Sequence, residues 1–542
     1  MSRSRPLATA VAACLLASST APAYAGSEQK SLEELRNTVV NLLQALVDQH
    51  VITAEQAAKM VQQAQEKATK DTATAEARDA GAVRVPYVPQ IVKDEIAKQV
   101  EEAVKPKVVE DVVAAAATQG WGVPGALPEW LGHVRATGDL RVRYQQDMFG
   151  RNNVAYTVPD YNSINAAGSI AKAGFNAFLD STQDRHRMRL RARFGLEAAI
   201  ADSFTAGLRI STGSALDPSS ESQTFGTTGA RYNVGLDQAY IRFEPRDASH
   251  FAWTTVTAGR MPSPWFTPSE LVFARDLSFE GLATTFRAPF GTPDEGRRSN
   301  LYVTLGGFPV QEVVVSPKSS KWLIAGQLGA DLRLGYEDRL RIGGAYYDFT
   351  HISGQLNPSG LSLYNYTAPP FIRYGNSYFD IQNSVDGSTN LFALAAKFQV
   401  ANLSLAYDHM IGRYRLTIVA DAVRNVGYHA ADVLARSGIA QAARNKGYVG
   451  EFGFGDDDAA SARGRWRLTA GYRYVQRDAV LDAWTDADFH GGGTNARGYY
   501  VTADYGLARD VYLRMRYMNG DVIDAPPAYA LDILQIDLNA RF

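Results

Sequence analysis

The last nine residues, Leu534 to Phe542, alternate without a break: Leu534, Ile536, Leu538, Ala540 and Phe542 fall on one face, Gln535, Asp537, Asn539 and Arg541 on the other. Successive side chains of a strand point to opposite sides, so a strand here is apolar on one side and hydrophilic on the other. Chain ends of globular domains usually fray and are polar. A final strand ending on an aromatic residue fits instead the closing strand of a barrel with lipid outside and water inside. That reading requires the same period to recur along the chain.

From His133 onward it does. Val134, Ala136, Gly138, Leu140, Val142 and Tyr144 share one face, while Arg135, Thr137, Asp139, Arg141, Arg143 and Gln145 share the other. Met188, Leu190, Ala192, Phe194 and Leu196 oppose Arg187, Arg189, Arg191, Arg193 and Glu197. After Ala201-Asp202-Ser203 the apolar face resumes at Phe204, Ala206, Leu208 and Ile210, which makes a hairpin with a short turn. Similar faces lie in 322–334, 340–346, 466–474, 499–505 and 511–517. Counting back from Phe542, with short turns near 201, 246, 336, 401, 459 and 507, predicts an all-β transmembrane antiparallel barrel of about sixteen strands. An extra pair within 403–415 would make eighteen. The longer connections, near 146–184, 214–232, 261–276, 351–388, 427–445, 476–496 and 520–532, all fall on the opposite side, an asymmetry that places both chain ends in the periplasm.

Composition is compatible with this. No segment offers the about 18 consecutive apolar residues of a membrane helix, and the mean hydropathy is −0.21; a barrel strand is only half apolar, so averaging cancels its signal. The net charge of −2 argues against a nucleic-acid partner, and 46 glycines with 27 tyrosines suit many strands and turns with aromatic belts.

Upstream the period is helical. Residues 1–25 read as a secretory signal, with Arg3 and Arg5, an apolar core from Leu7 to Leu16, and the cleavage site Ala23-Tyr24-Ala25. Cys14 is the only cysteine; Val11-Ala12-Ala13-Cys14 faintly resembles a lipoprotein box, but cleavage there would leave an unusually short signal. Residues 26–130 read as a periplasmic helical region and linker. Leu32, Leu35, Val39, Leu42 and Leu46 form an amphipathic stripe, Thr53 and Gln56 form a capping box for a helix over 54–67, and Val92, Ile96, Val100 and Val104 repeat until Pro106. A small helical hairpin and a coiled coil joining subunits both fit, since few clean heptads are visible. Trp121 and Trp130 mark the junction with the barrel, 131–542.

With these residues in view, the chain resembles the proteobacterial family known as putative porins. Matching segments include Gly120 to Pro128, Gly138-Asp139-Leu140-Arg141-Val142-Arg143-Tyr144, Gly259-Arg260-Met261-Pro262, Phe279-Glu280-Gly281, Asp478-Ala479-Val480, Thr485 to Phe489 and Thr494 to Tyr499. The resemblance implies an outer-membrane diffusion channel, a homotrimer, and no cofactor. Its partners would be outer-membrane lipid, lipopolysaccharide and the barrel-assembly machinery.

The most unusual constellation is a ladder on the second strand: Arg185, Arg187, Arg189, Arg191 and Arg193. Such side chains stand roughly 7 Å apart on one face. A cation on the lipid face at the bilayer midplane costs about 2–4 kcal/mol, so five in register demand a wet lumen. Arg135, Arg141 and Arg143 extend the wall, and Arg465, Arg467, Arg473, Arg514 and Arg516 add to the lumen-register excess. The same arginines could instead pair with acids of an infolded loop. The two readings merge if the third long connection, Pro262 to Asp276, folds inward as the constriction loop of general porins does. Glu270 and Asp276 would then face the ladder across the pore, and the pore would prefer anions.

Other classes are weaker. Asp478, Asp482, Asp486 and Asp488 could gather a calcium ion, but no full EF-hand loop is present and a solvated extracellular loop is the plainer reading. His133, His186 and His409 read as lumen or rim residues, and no Ser-His or HExxH setting supports an enzyme. A tether, with the helices on the cell wall and the barrel as anchor, is the alternative function. Deleting 27–118 would separate it from a pure channel.

Overall fold

The computed structural model describes residues 132–294, 297–525 and 527–542, together with Ala58, Lys59, Gln62, Gln63, Glu66 and Lys67. Those six are helical, and Gln62 donates to Glu66 one turn on, at 3.3 Å. The signal segment, the other helical stripes and the tryptophan junction lie outside the described residues.

Sixteen long strands among the described residues form the barrel: β1 (Val134–Phe149), β2 (Arg185–Ala201), β3 (Phe204–Thr212), β4 (Val234–Phe243), β5 (Thr254–Pro262), β6 (Ser278–Asp294), β7 (Arg297–Gln311), β8 (Lys321–Arg333), β9 (Asp338–Thr350), β10 (Phe398–Ile411), β11 (Tyr414–Asn425), β12 (Lys446–Asp456), β13 (Trp466–Val475), β14 (Ala496–Ala508), β15 (Val511–Val522) and β16 (Ala530–Arg541). Each is antiparallel to its chain neighbours, and β1 pairs with β16, Val142 opposite Leu538, so the sheet has no free edge. A closed ring is the one way strands satisfy their backbone in lipid. No described helix is long and apolar enough to cross a membrane.

The chain stops at sixteen strands because 403–415 is one hairpin, β10 and β11 joined by Gly412-Arg413 with Gly412 at φ +60°. The turn placed near 401 is absent. Asn402, a turn-type residue by composition, lies mid-strand, where its side chain donates to Asp421 at 2.6 Å. The step from β6 to β7 and the connection at 312–320 also escaped the period count.

The outward positions are apolar with an aromatic belt at each end. Near the short turns Phe204 meets Phe243 at 4.8 Å, and Tyr414 meets Phe454 and Trp466 at 5.5 and 5.7 Å. Near the long connections Tyr448 meets Tyr474 at 5.1 Å and Tyr499 meets Tyr517 at 6.3 Å. Amphipathic rings belong at the two faces of a bilayer. Phe194 and Leu538 are exposed outward between these belts. His186 and His409 occupy the outer rims, bonded to Tyr144 (2.8 Å) and Asp338 (2.9 Å).

The interior is uneven. The loop-side halves of the inner faces of β6 to β9 are apolar, and the 263–277 connection packs on them through Trp265 and Phe273, which meet Tyr347 edge to face at 5.5 and 4.9 Å. Trp484 of the 476–495 connection joins the same core against Phe349 at 5.4 Å. Both connections are therefore lumen plugs rooted on one wall.

The ring closes with Phe542, whose backbone exchanges hydrogen bonds with Gly138 (2.8 and 3.0 Å). Its side chain lies over that glycine, where a Cβ would come within 2.4 Å of Phe542 Cζ. Gly138→Val should therefore lower barrel stability by about 1–3 kcal/mol through overpacking. The readout is the temperature at which the barrel loses its compact electrophoretic migration; an unchanged temperature would refute this account of closure.

Candidate functional site

The register of β1 on β2 sets Arg141 opposite Arg191 and Arg143 opposite Arg189. Like charges opposed across strands repel, so this wall needs anions, and it has them. Arg143 is held in a fork by Asp537 of β16 (2.7 and 2.9 Å) and by Asp488 (2.8 Å). Arg187 pairs with Asp147 at 3.0 Å, Arg191 with Asp139 (2.9 Å) and Asp276 (3.0 Å), and Arg193 with Asp139 and Asp276, with the carboxyl of Glu221 3.3 Å away. Arg189 reaches Ser220 Oγ and the Ser222 carbonyl, both at 3.4 Å. Arg135 and Arg185 are exposed at the two ends of the ladder.

Neighbouring strands carry the pattern on at one level. From β2 to β13 the paired positions read Arg189, Arg143, Asp537, Arg514, Asp504 and Arg467. Arg514 is forked on Asp504 at 2.6 and 2.9 Å. Four arginines and two carboxylates leave this belt positive, with an arginine at each end.

Three connections enter the lumen. The 213–233 segment turns in at Gly213 (φ +123°), pairs Gln223 and Thr224 to β2 beyond the end of β3, and presents Ser219, Ser220 and Ser222 to the wall. The 263–277 segment contributes Asp276, but in direct contact with Arg191 and Arg193. The picture of acids facing the ladder across a gap is thus corrected: Asp276 lies on the ladder, and Glu270 turns away to accept from the Arg275 backbone N–H at 3.0 Å. Arg473 of β13 fastens two plugs at once, donating to the Glu270 carbonyl (3.0 Å) and to Thr485 Oγ1 (2.7 Å).

The acidic run 478–488 is likewise no solvated loop. Asp478, Asp482 and Asp486 are buried. Asp478 accepts from Ser377 Oγ at 2.6 Å and Asp482 from Tyr378 Oη at 2.9 Å, which ties this plug to the 351–397 connection. Burial pushes both carboxyls up to about 6, against the donors. Asp488 behaves differently: burial would raise it, yet the charges of Arg143, Arg189 and Arg516 hold it well below the ordinary range. Among the described residues no group of three or more His, Cys, Asp or Glu is placed to hold a metal. Gly491, Gly492 and Gly493, all at positive φ, let the segment bend inward; a Cβ on Gly493 would strike the Tyr374 carbonyl at 2.2 Å. This glycine run was the available signal, and period counting does not read it.

Between the wall, β9 to β15 and the plugs lies a lumen cavity of about 620 Å³, read below as the passage. Ten arginines and seven carboxylates line it. Arg141, Arg467 and Arg473 among the ten have no described carboxylate within 4.0 Å. Arg141 meets Ser222 Oγ at 2.5 Å and Arg467 meets Thr417 Oγ1 at 2.7 Å. Arg516 stacks over Tyr500 and reaches Asp486 at 3.5 Å. Arg465 departs from the sequence expectation, since it sits in the 457–465 turn, bonded to Asp456 at 2.6 Å.

Two outcomes follow from these contacts. Asp488→Asn removes the anion shared by Arg143, Arg189 and Arg516; breaking such a pair costs about 3–5 kcal/mol, so the 476–495 plug should loosen and single-channel conductance in planar bilayers should rise and become noisier. Glu221 is pushed up to about 8 by burial and then by Asp276, against Arg193 and Arg209. It is neutral below that pH and anionic above it, so the anion-to-cation permeability ratio should fall between pH 7 and 9. Glu221→Gln should flatten that profile, and an equally steep profile in the variant would rule this assignment out.

A profile of the putative porin family matches residues 36–542. No relative among curated proteins matches the chain by sequence. Among solved structures, OmpT of Vibrio cholerae in its trimer form covers 76% of this chain and 99% of its own at 10% identity and a TM-score of 0.37. OprB of Pseudomonas putida covers 76% and 96% at 10% identity and a TM-score of 0.41, and OmpF of Salmonella typhi 76% and 97% at 11% and 0.39. On the family match and its closed barrel, the chain belongs to the putative porin family and is a porin-like channel of the outer membrane rather than an enzyme.

Proposed function

We propose that the protein lets small hydrophilic solutes diffuse passively across the outer membrane and that its lumen favours anions. The observation that carries this is the passage lining of ten arginines against seven carboxylates, with Arg141 and Arg467 facing hydroxyl partners instead of anions. A charged wall beside a low-dielectric plug concentrates counter-ions and sets selectivity. The paired arginines contribute less, because their carboxylates cancel most of their field within a Debye length, about 8 Å at physiological salt.

The end with the short turns and both barrel termini faces the periplasm in this reading, since long connections belong outside. Assembly as a homotrimer fits a porin, and the tethering alternative rests on residues outside the described ones.

Reversal potentials across a tenfold potassium chloride gradient test the proposal. The wild-type channel should pass chloride in preference to potassium. Arg141→Ala with Arg467→Ala should cut the permeability ratio by about twofold or more, as expected when two of three excess lumen charges are lost. A cation-preferring wild type would overturn the reading.

A further inference from the structure

On the loop side of the charged passage lies a second recess of about 200 Å³. Its walls include Phe279, Phe308, Phe371 and Trp484, and Trp484 stands edge-on to Phe279 at 5.9 Å. Three thin strips of chain separate it from the passage: Pro218 borders the recess and Ser219 the passage, Leu277 and Asp276 divide in the same way, and Trp484 and Asp486 flank the third strip. Apolar rings thus line one side of these strips and guanidinium groups the other.

Lys321, the first residue of β8, also borders the recess and is 2% exposed. Its Nζ donates to the carbonyls of Thr367 (3.1 Å) and Ala368 (3.3 Å), and no described carboxylate lies within 4.0 Å of it. Those carbonyls take two of the three ammonium donors. The recess carboxylates are committed elsewhere: Asp482 to Tyr378 at 2.9 Å, and Glu280 to Arg260. Lys321 is therefore a buried cation without a described counter-anion, on the border of a recess that aromatic rings also line. Buried charges are ordinarily paired.

We propose that this recess binds a small monocarboxylate with an aromatic body, its carboxylate on Lys321 and its ring against Phe279, Phe308 and Trp484. The proposal rests on the channel reading and adds a solute class to it. A charge-assisted hydrogen bond in apolar surroundings supplies orientation, and the rings supply contact area. The volume is below the about 300–1,000 Å³ of sites for drug-sized ligands, which limits the body to a single ring.

Isothermal titration calorimetry on the detergent-folded full chain tests this without any flux measurement. Benzoate should bind saturably, at least tenfold more tightly than benzyl alcohol, which lacks the charge, and than acetate, which lacks the ring. Lys321→Met, near-isosteric and relieved of a buried charge, should weaken benzoate at least tenfold while keeping compact electrophoretic migration. Equal affinity for benzoate and benzyl alcohol, or no saturable benzoate binding, would overturn the site, and the wild-type comparison decides even if the variant fails to fold. A barrel that binds benzoate but conducts no ions would instead strike down the channel reading alone.

Discussion

Backbone hydrogen bonding in lipid is the constraint on which everything else depends. Every N–H and C=O within the hydrocarbon must find a partner, and for strands that means a ring with no edge. The pairing of β1 with β16 meets this demand, and with it the alternation of each strand acquires a fixed meaning: one register faces lipid, the other faces the lumen. A one-residue slip between β1 and β2 would put Arg187 to Arg193 into lipid and Met188 to Leu196 into the lumen. The arginine ladder therefore secures the register as firmly as the apolar face does.

Closure also sets which charges meet. Because neighbouring strands are hydrogen-bonded at fixed levels, Arg143 cannot avoid Asp537 on one side and Arg189 on the other. The lateral sequence from Arg189 to Arg467 is a consequence of pairing, and its repulsive step between β1 and β2 is relieved from outside the sheet. Asp488 supplies that relief from a plug, so the plug and the wall stabilise each other: the carboxylate needs the guanidinium groups to remain charged when buried, and they need it to stand side by side.

The legible parts of the sequence were those governed by the period of two. The closed barrel, the turn-and-loop asymmetry, and the lumen placement of Arg141, Arg143 and Arg187 to Arg193 all follow from alternation, and the total of about sixteen strands is met although two connections escaped the count. Asn402 misled because turn composition and inward polar packing use the same residue types. The inward course of 262–276 was expected, but the 213–233 and 476–495 plugs were illegible for a different reason. Their positions depend on contacts such as Arg473 with Thr485 and Trp484 with Phe349, which join residues far apart in the chain and have no period. Acidic composition suggested solvent at 478–488, whereas a carboxylate run beside an arginine wall is drawn inward.

The inner faces of β6 to β9 complete this logic. An apolar inner face looks like an error in a barrel with a wet lumen, since it blurs the alternation on those strands. It is instead the seat on which Trp265, Phe273 and Trp484 anchor two plugs. With the loop-side half of that wall apolar and occupied, the charged cavity lies against the arginine wall and β9 to β15. The same contacts that seat the plugs thus leave Arg141 and Arg467 on the cavity lining with hydroxyl partners in place of carboxylates.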